Sequence, residues 1–339
     1  MNDQKNIKNT LIELFEKTFS EKALQFNALP AHGSNRQYFR ISGKTQICLG
    51  AFNEDTTENR AFIYLTHHFR ANGLPVPQLY AEDNTKRFYL IEDLGDQTLY
   101  DYLTREKSRN DITENVINIY KKALYFLPKF QITASAGLDF SICYPRAAFD
   151  KQSMMWDLNY FKYYFLKFKN IIFNEQDLED DFHKFGDFLL SAPREYFLYR
   201  DFQSRNIMVK DGKVYFIDYQ GGRRGALFYD PASLLYDAKA NLSPQMRAQL
   251  LDYYRGQLRL YIPVNDDEFS RYYEGYALLR IMQAFGAYGF RGYYEKKEHF
   301  IKSVPYAAKN LKSLLNSLNL PVKIPVLLKA LEQVANITV

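Results

Sequence analysis

The stretch that most constrains this chain is residues 197–220, FLYRDFQSRNIMVKDGKVYFIDYQ. Asp201 and Asp218 each end a predicted hydrophobic strand, and Asn206 closes the loop between them. The dipeptide Asp211-Gly212 predicts a tight hairpin, which would bring Asn206 and Asp218 side by side with Asp201 opposite. A carboxylate after an apolar strand is costly to bury unless a cation or hydrogen-bond donors meet it. The three polar residues therefore predict a shared partner.

A metal–phosphate complex would satisfy all three residues. Asn206 and Asp218 offer hard oxygen ligands, which suit a Mg²⁺ ion that bridges phosphates. Asp201 is not needed for the metal and is free to accept a proton from an attacking hydroxyl. Taken singly, the residues also fit a turn acid, a cap and a strand-end turn. Their joint occurrence favours a catalytic site with Asp201, Asn206 and Asp218 as catalytic residues and the last two as metal ligands.

The composition is that of a globular protein, with 47% hydrophobic and 24% charged residues. No run of about 18 apolar residues is present, and the N-terminus lacks a signal-peptide pattern, so we expect a cytoplasmic protein without a membrane segment. Cys48 and Cys143 lie far apart without metal spacing, which indicates reduced core residues. The net charge is +5, but the Lys and Arg residues are dispersed among acidic residues rather than gathered in blocks. This pattern does not favour a nucleic-acid partner.

The order of predicted elements changes near Gly95. Before it, apolar spacing predicts a helix over residues 6–25, then strands, and a second helix from Thr57, a possible N-cap, to Gly73. After it, helices dominate. We therefore predict an α+β, bilobal fold: an N-terminal lobe over residues 1–95 with a small antiparallel sheet and one main helix, and a larger helical lobe over 96–339. A cleft between lobes is the default place for a ligand.

The segment YRDFQSRNIMV…VYFIDYQGGRRGALFYDPASLLYDA resembles the aminoglycoside phosphotransferase and choline kinase-like family, whose fold is protein-kinase-like. Within that family the chain is most similar to bacterial anomeric amino-sugar kinases, which phosphorylate N-acetylmuramate and N-acetylglucosamine at C1. GSNRQYFRI, FYLIEDLGDQTLYDYL, FDKQSMMWDLNYFKYYF and LLRIMQAFGAYGFR extend the likeness over most of the chain. The resemblance implies a kinase that uses ATP and Mg²⁺. Asp230 stands where the family has an acid that opens a helix, as structural support or as an N-cap.

The chain departs from the family pattern at two places. Tyr199 stands where His is common, and its hydroxyl can hydrogen-bond in place of the imidazole. The strand QICLGAF has Leu49 and Gly50 where many kinases have a phosphate-pairing Lys. Without that Lys, we expect Glu58 of the first-lobe helix to be a surface acid.

The nucleotide is expected at the loop AHGSNRQYF and at the crossing IEDLG. Backbone N–H groups of a Gly-Ser loop can bind phosphates, and the crossing can supply backbone groups to an adenine edge. Arg36 and Arg40 are the nearest cations that can replace the missing Lys, although an Arg on such a strand is more often exposed. The predicted nucleotide-binding residues are Gly33, Ser34, Asn35, Arg36, Arg40, Glu92, Asp93 and Leu94.

We expect the phosphate acceptor to be a small molecule that binds against the helical lobe. An aromatic ring and acids match sugar recognition, although an aromatic stripe at helical spacing is usually core. From residue 221 onward there are 16 Lys and Arg against 10 Asp and Glu, which favours a neutral or acidic acceptor over a polycationic aminoglycoside. Choline and a non-catalytic nucleotide-binding module stay open as alternatives. The candidate acceptor residues are Trp156, Asp157, Tyr160, Gln220, Arg223 and Asp237.

Overall fold

The computed structural model describes residues 2–30, 36–107 and 113–337. The predicted phosphate-loop residues Gly33, Ser34 and Asn35 lie outside the described residues. Arg36, which follows them, is the first described residue before the second strand.

Within the described residues, five antiparallel strands form a sheet in the N-terminal region, in the order β1-β2-β3-β5-β4. Two helices accompany the sheet, α1 before it and α2 between β3 and β4. The elements are α1 (Asn2–Phe19), β1 (Gln25–Ala28), β2 (Gln37–Ser42), β3 (Ile47–Phe52), α2 (Thr56–Ala71), β4 (Leu79–Glu82) and β5 (Phe88–Glu92).

Both faces of this sheet are covered by other parts of the chain. Successive residues of a strand point to opposite sides, so neighbouring strand residues belong to different buried clusters. On one face, Ile41, Cys48 and Leu90 pack with Leu11 and Phe15 of α1 in one buried cluster. On the other face, Ala51, Tyr89 and Ile91 join a second cluster that includes α2. That cluster continues through the C-terminal helices, so α2 belongs to both the sheet and the helical core.

Two boundaries differ from the sequence prediction. The first helix ends at Phe19 rather than at residue 25, because Ser20 adopts a left-handed φ of 55° and residues 25–28 pair as β1. The N-cap of α2 is Asp55 rather than Thr57, since the Asp55 side chain accepts hydrogen bonds from the N–H groups of Thr57 and Glu58. Carboxylates are preferred caps because they also meet the positive end of the helix dipole.

The C-terminal part is mainly helical and carries two short strand pairs, β6 with β9 and β7 with β8. Its strands are β6 (Tyr196–Leu198), β7 (Ile207–Lys210), β8 (Lys213–Phe216) and β9 (Arg223–Gly225). Its helices are α3 (Leu99–Lys107), α4 (Glu114–Pro128), α5 (Lys151–Phe161), α6 (Glu175–Leu190), α7 (Tyr229–Leu235), α8 (Pro244–Leu258), α9 (Asp266–Ala287), α10 (Glu298–Ile301), α11 (Val304–Leu315) and α12 (Pro325–Ala335).

The predicted α+β class, with an antiparallel sheet first and a helical region after it, is confirmed. The boundary predicted at residue 95 stays a prediction. In the part of the chain that the structure describes, no helix combines the length and apolar character that a membrane span requires.

Candidate active site

The loop that carries Asp201 is fixed by an acid from another element. The strand before it, β6, ends at Leu198 rather than at Asp201, and Arg200 then adopts a left-handed φ of 78°. Asp230 of α7 accepts hydrogen bonds from the backbone N–H groups of Tyr199 at 2.8 Å and of Arg200 at 2.9 Å. A strained non-glycine backbone of this kind persists only where the surroundings hold it. Asp230 thus contacts the two backbone N–H groups that immediately precede Asp201.

The alternative assignment of Asp230 as an N-cap is wrong, because Phe228 precedes α7 and Asp230 lies inside its first turn. The Asp230 side chain is fully buried and also accepts from Nε2 of Gln131 at 3.2 Å. Burial raises the pKa of the Asp230 carboxyl to about 7, while the three donors oppose that rise.

Asn206 and Asp218 lie side by side, as the hairpin predicts. Nδ2 of Asn206 donates to the backbone oxygen of Asp201 at 2.9 Å and to Oδ2 of Asp218 at 3.1 Å. The hairpin turns at Asp211 and Gly212, both with positive φ, and β8 ends at Phe216. Asp218 follows two residues later, with a φ of 67°. The loop and the hairpin therefore direct three polar side chains toward one place.

The environment of Asp218 favours a cation. Its carboxylate is open to solvent, yet it lies deep among protein atoms. This position, and next the charge of Asp201, raise the pKa of Asp218 to about 6, whereas Gln220 and Arg36 oppose the rise. Neighbouring carboxylates repel each other, and a bound cation would relieve that repulsion.

The residues present fit Mg²⁺. Because Nδ2 of Asn206 is engaged, its amide oxygen is left as an acceptor beside the Asp218 carboxylate. Within the described ranges, no cluster of three or more His, Cys, Asp or Glu side chains is arranged to hold a metal. Mg²⁺ typically takes one or two protein ligands and completes its shell with water and substrate phosphates. The donor set matches that pattern.

Tyr199 supports the segment that carries Asp218, residues 217–220. Its hydroxyl donates to the backbone oxygen of Ile217 at 2.7 Å, directly before Asp218. The next residue, Tyr219, stacks on Phe62 of α2 at 5.4 Å between ring centroids, and its hydroxyl lies 2.5 Å from Oγ1 of Thr66. The segment that carries Asp218 is therefore attached both to the Asp201 loop and to α2.

Two expectations about the first lobe are wrong. Arg36 is buried, with 5% of its surface exposed, and Glu58 is half-buried rather than a surface acid. Nη2 of Arg36 lies 3.2 Å from Oε1 of Glu58. Nε2 of Gln220 donates to the same Oε1 at 3.3 Å and to Oδ1 of Asp218 at 2.7 Å. Gln220, a candidate acceptor residue, thus connects Glu58 to Asp218.

The segment where the chain leaves β5 holds Arg40 in an ion-pair network, so this arginine is not simply exposed either. Its Nε lies 2.6 Å from Oδ2 of Asp93, and its Nη2 lies 2.8 Å from Oδ1 of Asp96. Asp93 also accepts from the N–H of Gly95 at 2.9 Å, and its backbone oxygen accepts from Nζ of Lys210 at 3.3 Å. Arg40 and Asp93, both predicted at the nucleotide, contact each other.

The two other predicted residues of this segment have separate roles in the fold. The N–H of Glu92 donates to the backbone oxygen of Gln78 at 2.8 Å, so Glu92 pairs toward β4. Leu94 is buried at 5% exposure. Their contribution to nucleotide binding stays a prediction.

The candidate acceptor residues divide between the surface and the catalytic loop. Trp156 is 63% exposed, so the expectation that its aromatic stripe is core fails at this position. Asp157, its neighbour on α5, is buried and binds Arg200 through two hydrogen bonds, at 2.7 and 2.8 Å. The Asp237 carboxylate accepts from the hydroxyl of Ser204, inside the catalytic loop.

Sequence reasoning missed Arg200 as a structural residue, although it immediately precedes Asp201. Its guanidinium also donates to the hydroxyl of Tyr229 at 2.7 Å and lies 4.9 Å from the Phe149 ring centroid. The charged Arg-Asp dipeptide after an apolar strand was the available signal. No comparable signal in the sequence pointed to its partner Asp157, which lies on α5, 43 positions away.

The chain is similar to known phosphotransferases and kinases in sequence and in fold. The sequence matches the model described as the phosphotransferase enzyme family over residues 26–263. An N-acetylmuramate/N-acetylglucosamine kinase from Neisseria meningitidis serogroup B is 23% identical over 315 residues, which cover 90% of this chain and 89% of that protein.

Solved structures share the fold. A choline kinase from Cryptosporidium parvum Iowa II superposes with a TM-score of 0.61 at 12% identity, over 96% of this chain and 99% of that one. A thermostable aminoglycoside phosphotransferase variant, in a complex with ADP and hygromycin B, gives a TM-score of 0.55 at 13% identity, over 91% and 98%. The predicted protein-kinase-like fold is confirmed.

Proposed function

The chain is a member of the phosphotransferase enzyme family, and on that premise we propose that it is an ATP- and Mg²⁺-dependent kinase for an amino sugar. It is a phosphotransferase whose acceptor is a hydroxyl group. The observation that carries the proposal is the arrangement of Asp201, Asn206 and Asp218, in which one amide contacts both aspartates. The name of the Neisseria relative supports the amino sugar, and the ADP complex of a structural neighbour supports the nucleotide.

Asp201 is the proposed general base. The acceptor oxygen forms a bond to the γ-phosphorus, the bond to the β–γ bridging oxygen breaks, and ADP leaves with that electron pair. The acceptor proton passes to the Asp201 carboxylate. Asp230 keeps the Asp201 loop in its strained backbone geometry, so that the carboxylate is positioned before the substrate binds.

Asn206 and Asp218 are the proposed ligands of Mg²⁺, which neutralises phosphate charge when bound. Two residues hold the segment that carries Asp218. Gln220 contacts the Asp218 side chain, and Tyr199 contacts the backbone of Ile217. These residues do not react. They reduce the freedom of the two ligands to turn away from the site.

The proposed nucleotide site lies between the five-stranded sheet and the catalytic loop, where residues 1–95 meet residues 96–339. Arg36, paired with Glu58, supplies a cation that the third strand lacks. Gly33, Ser34 and Asn35 are proposed to contact the phosphates, and residues 92–94 the base. The missing strand lysine and Tyr199, in place of a common His, were the two arguments for a non-catalytic module. The buried Arg36 weakens the first of them.

The proposed acceptor is an N-acetylated amino sugar, with the anomeric hydroxyl as the position that the resemblance implies. The test is ADP release with ATP and Mg²⁺ across amino sugars, hexoses, choline and aminoglycosides, followed by mass spectrometry of the product. We expect turnover with N-acetylglucosamine or N-acetylmuramate and a product heavier by one phosphate. Turnover with choline or an aminoglycoside alone would contradict the amino-sugar assignment.

A further inference from the structure

Arg223 is a buried cation beside the catalytic loop. It opens β9, where it pairs with Leu198 of β6, and only 8% of its surface is exposed. Both of its hydrogen bonds go to one acceptor, the backbone oxygen of Gly221, from Nε at 3.0 Å and from Nη2 at 2.9 Å. A guanidinium group carries five N–H donors, so this single oxygen leaves most of its capacity unused.

The contrast with Arg200 shows what Arg223 lacks. Arg200 is similarly buried, and Asp157 neutralises its charge through two hydrogen bonds. Among residues 2–30, 36–107 and 113–337, no carboxylate forms an ion pair with Arg223. Burying a guanidinium without a counterion is unfavourable, as it is for other buried ions. A buried arginine with a backbone oxygen as acceptor but no carboxylate partner among the described residues is therefore suited to an anion that arrives from outside.

The position of Arg223 relates it to the reacting groups. Its acceptor, Gly221, lies close enough to the base that a Cβ at Gly221 would be 3.6 Å from Oδ2 of Asp201. Burial, and then repulsion from Arg200, lower the pKa of Arg223 to about 10, while the charges of Asp201 and Asp157 oppose the shift.

We infer that Arg223 binds a carboxylate of the acceptor and so determines specificity for an acidic sugar. The inference rests on the proposed function. N-acetylmuramate carries such a carboxylate on its lactyl ether, whereas N-acetylglucosamine does not. The guanidinium also repels a polycationic aminoglycoside or the trimethylammonium group of choline, since like charges in a buried site repel strongly.

The test compares three acceptors that differ in charge: N-acetylmuramate, its methyl ester, and N-acetylglucosamine. R223Q removes the charge, and R223K retains it with a less suitable geometry. R224Q is the matched control, because Arg224 is the exposed neighbour on the same strand, stacked on Phe140 at 4.7 Å. For R223Q we expect the KM for N-acetylmuramate to rise about tenfold to a hundredfold, the loss typical of a charged hydrogen bond.

The KM for the methyl ester and for N-acetylglucosamine should stay within about twofold in R223Q, which also shows that the variant is folded. R223K should give an intermediate KM for the acid, and R224Q should match the wild type. An equal rise for all three acceptors, or a fall in kcat with all of them, would overturn the inference and point to the transferred phosphoryl group. A wild type that phosphorylates none of these sugars would instead contradict the proposed function.

Discussion

Arg36 and Glu58 form an ion pair between the start of β2 and α2, with 3.2 Å between Nη2 and Oε1. In the sequence Glu58 had no expected partner, because the third strand lacks a lysine. The structure supplies the partner from the neighbouring strand, next to the predicted phosphate loop. The Arg36 guanidinium also lies over Phe62, with its Cζ 5.5 Å from the ring centroid. The pair places a buried positive charge on the side of the site where we propose that the nucleotide binds.

Replacing Arg36 should weaken nucleotide binding. In R36Q we expect the KM for Mg-ATP to rise about tenfold or more, because a charge-assisted contact contributes about 1.5–3 kcal/mol. R36K keeps the charge and should recover part of the loss. Combining R36Q with E58Q should cost less than the sum of the two single changes, since the residues act on each other. A KM in R36Q equal to that of the wild type would exclude a phosphate role for Arg36.

Asp230 should control turnover without contacting the substrate. In D230N an amide N–H₂ replaces one carboxylate oxygen and faces the N–H groups of Tyr199 or Arg200. We expect kcat to fall about a hundredfold, the effect of a misplacement of about 1 Å at the reacting group. The affinity for Mg-ATP, measured by calorimetry, should change little. D252N, at an exposed ion pair, is the surface control. Normal kcat in D230N would show that Asp230 does not position Asp201.

Asp55 makes the stability of α2 depend on pH. The hydrogen bond from the N–H of Glu58 lowers the pKa of Asp55 below that of an ordinary aspartate, and the Tyr144 hydroxyl and the N–H of Thr57 add to this effect. A carboxyl with a lowered folded-state pKa stabilises the fold above its unfolded pKa, and this contribution is lost as the pH falls through the folded-state value. The relevant window therefore lies below about pH 4.

The measurement is urea unfolding of the wild type, D55A and D55N between pH 3 and pH 7. D55A should lose about 1 kcal/mol at pH 7, the usual cost of removing an N-cap. D55N keeps a capping oxygen and should lose less. The difference between the wild type and D55N should shrink as the pH falls below about 4. A difference that stays constant over the series would show that the charge of Asp55 contributes nothing.

The sequence predicts the parts of the site that depend on local chain geometry. The hairpin at Asp211 and Gly212 has a two-residue turn with positive φ, so its register is fixed by neighbouring residues alone. That register brings Asn206 next to Asp218.

The contacts that the sequence does not predict join residues distant along the chain. Asp230 and Tyr199 are separated by 31 positions, and Asp157 and Arg200 by 43. Nothing in the local pattern distinguishes an acid that opens a helix from one that accepts backbone N–H groups of another loop. The same limit explains Glu58, whose half-buried position depends on how α2 packs against the sheet. Such pairs are set by tertiary packing.

The most direct test of the account compares D201N and D218N with the wild type, measuring both Mg-ATP affinity and the rate of sugar phosphorylation. Asp201 is proposed to accept the proton, and Asp218 is proposed to bind the metal. D201N should bind Mg-ATP as the wild type does, while its turnover falls about a hundredfold to ten-thousandfold. D218N should lose turnover and also bind Mg-ATP more weakly, with little change in affinity for ATP without Mg²⁺. Turnover of D201N at the wild-type rate, or normal Mg-ATP affinity in D218N, would contradict the account.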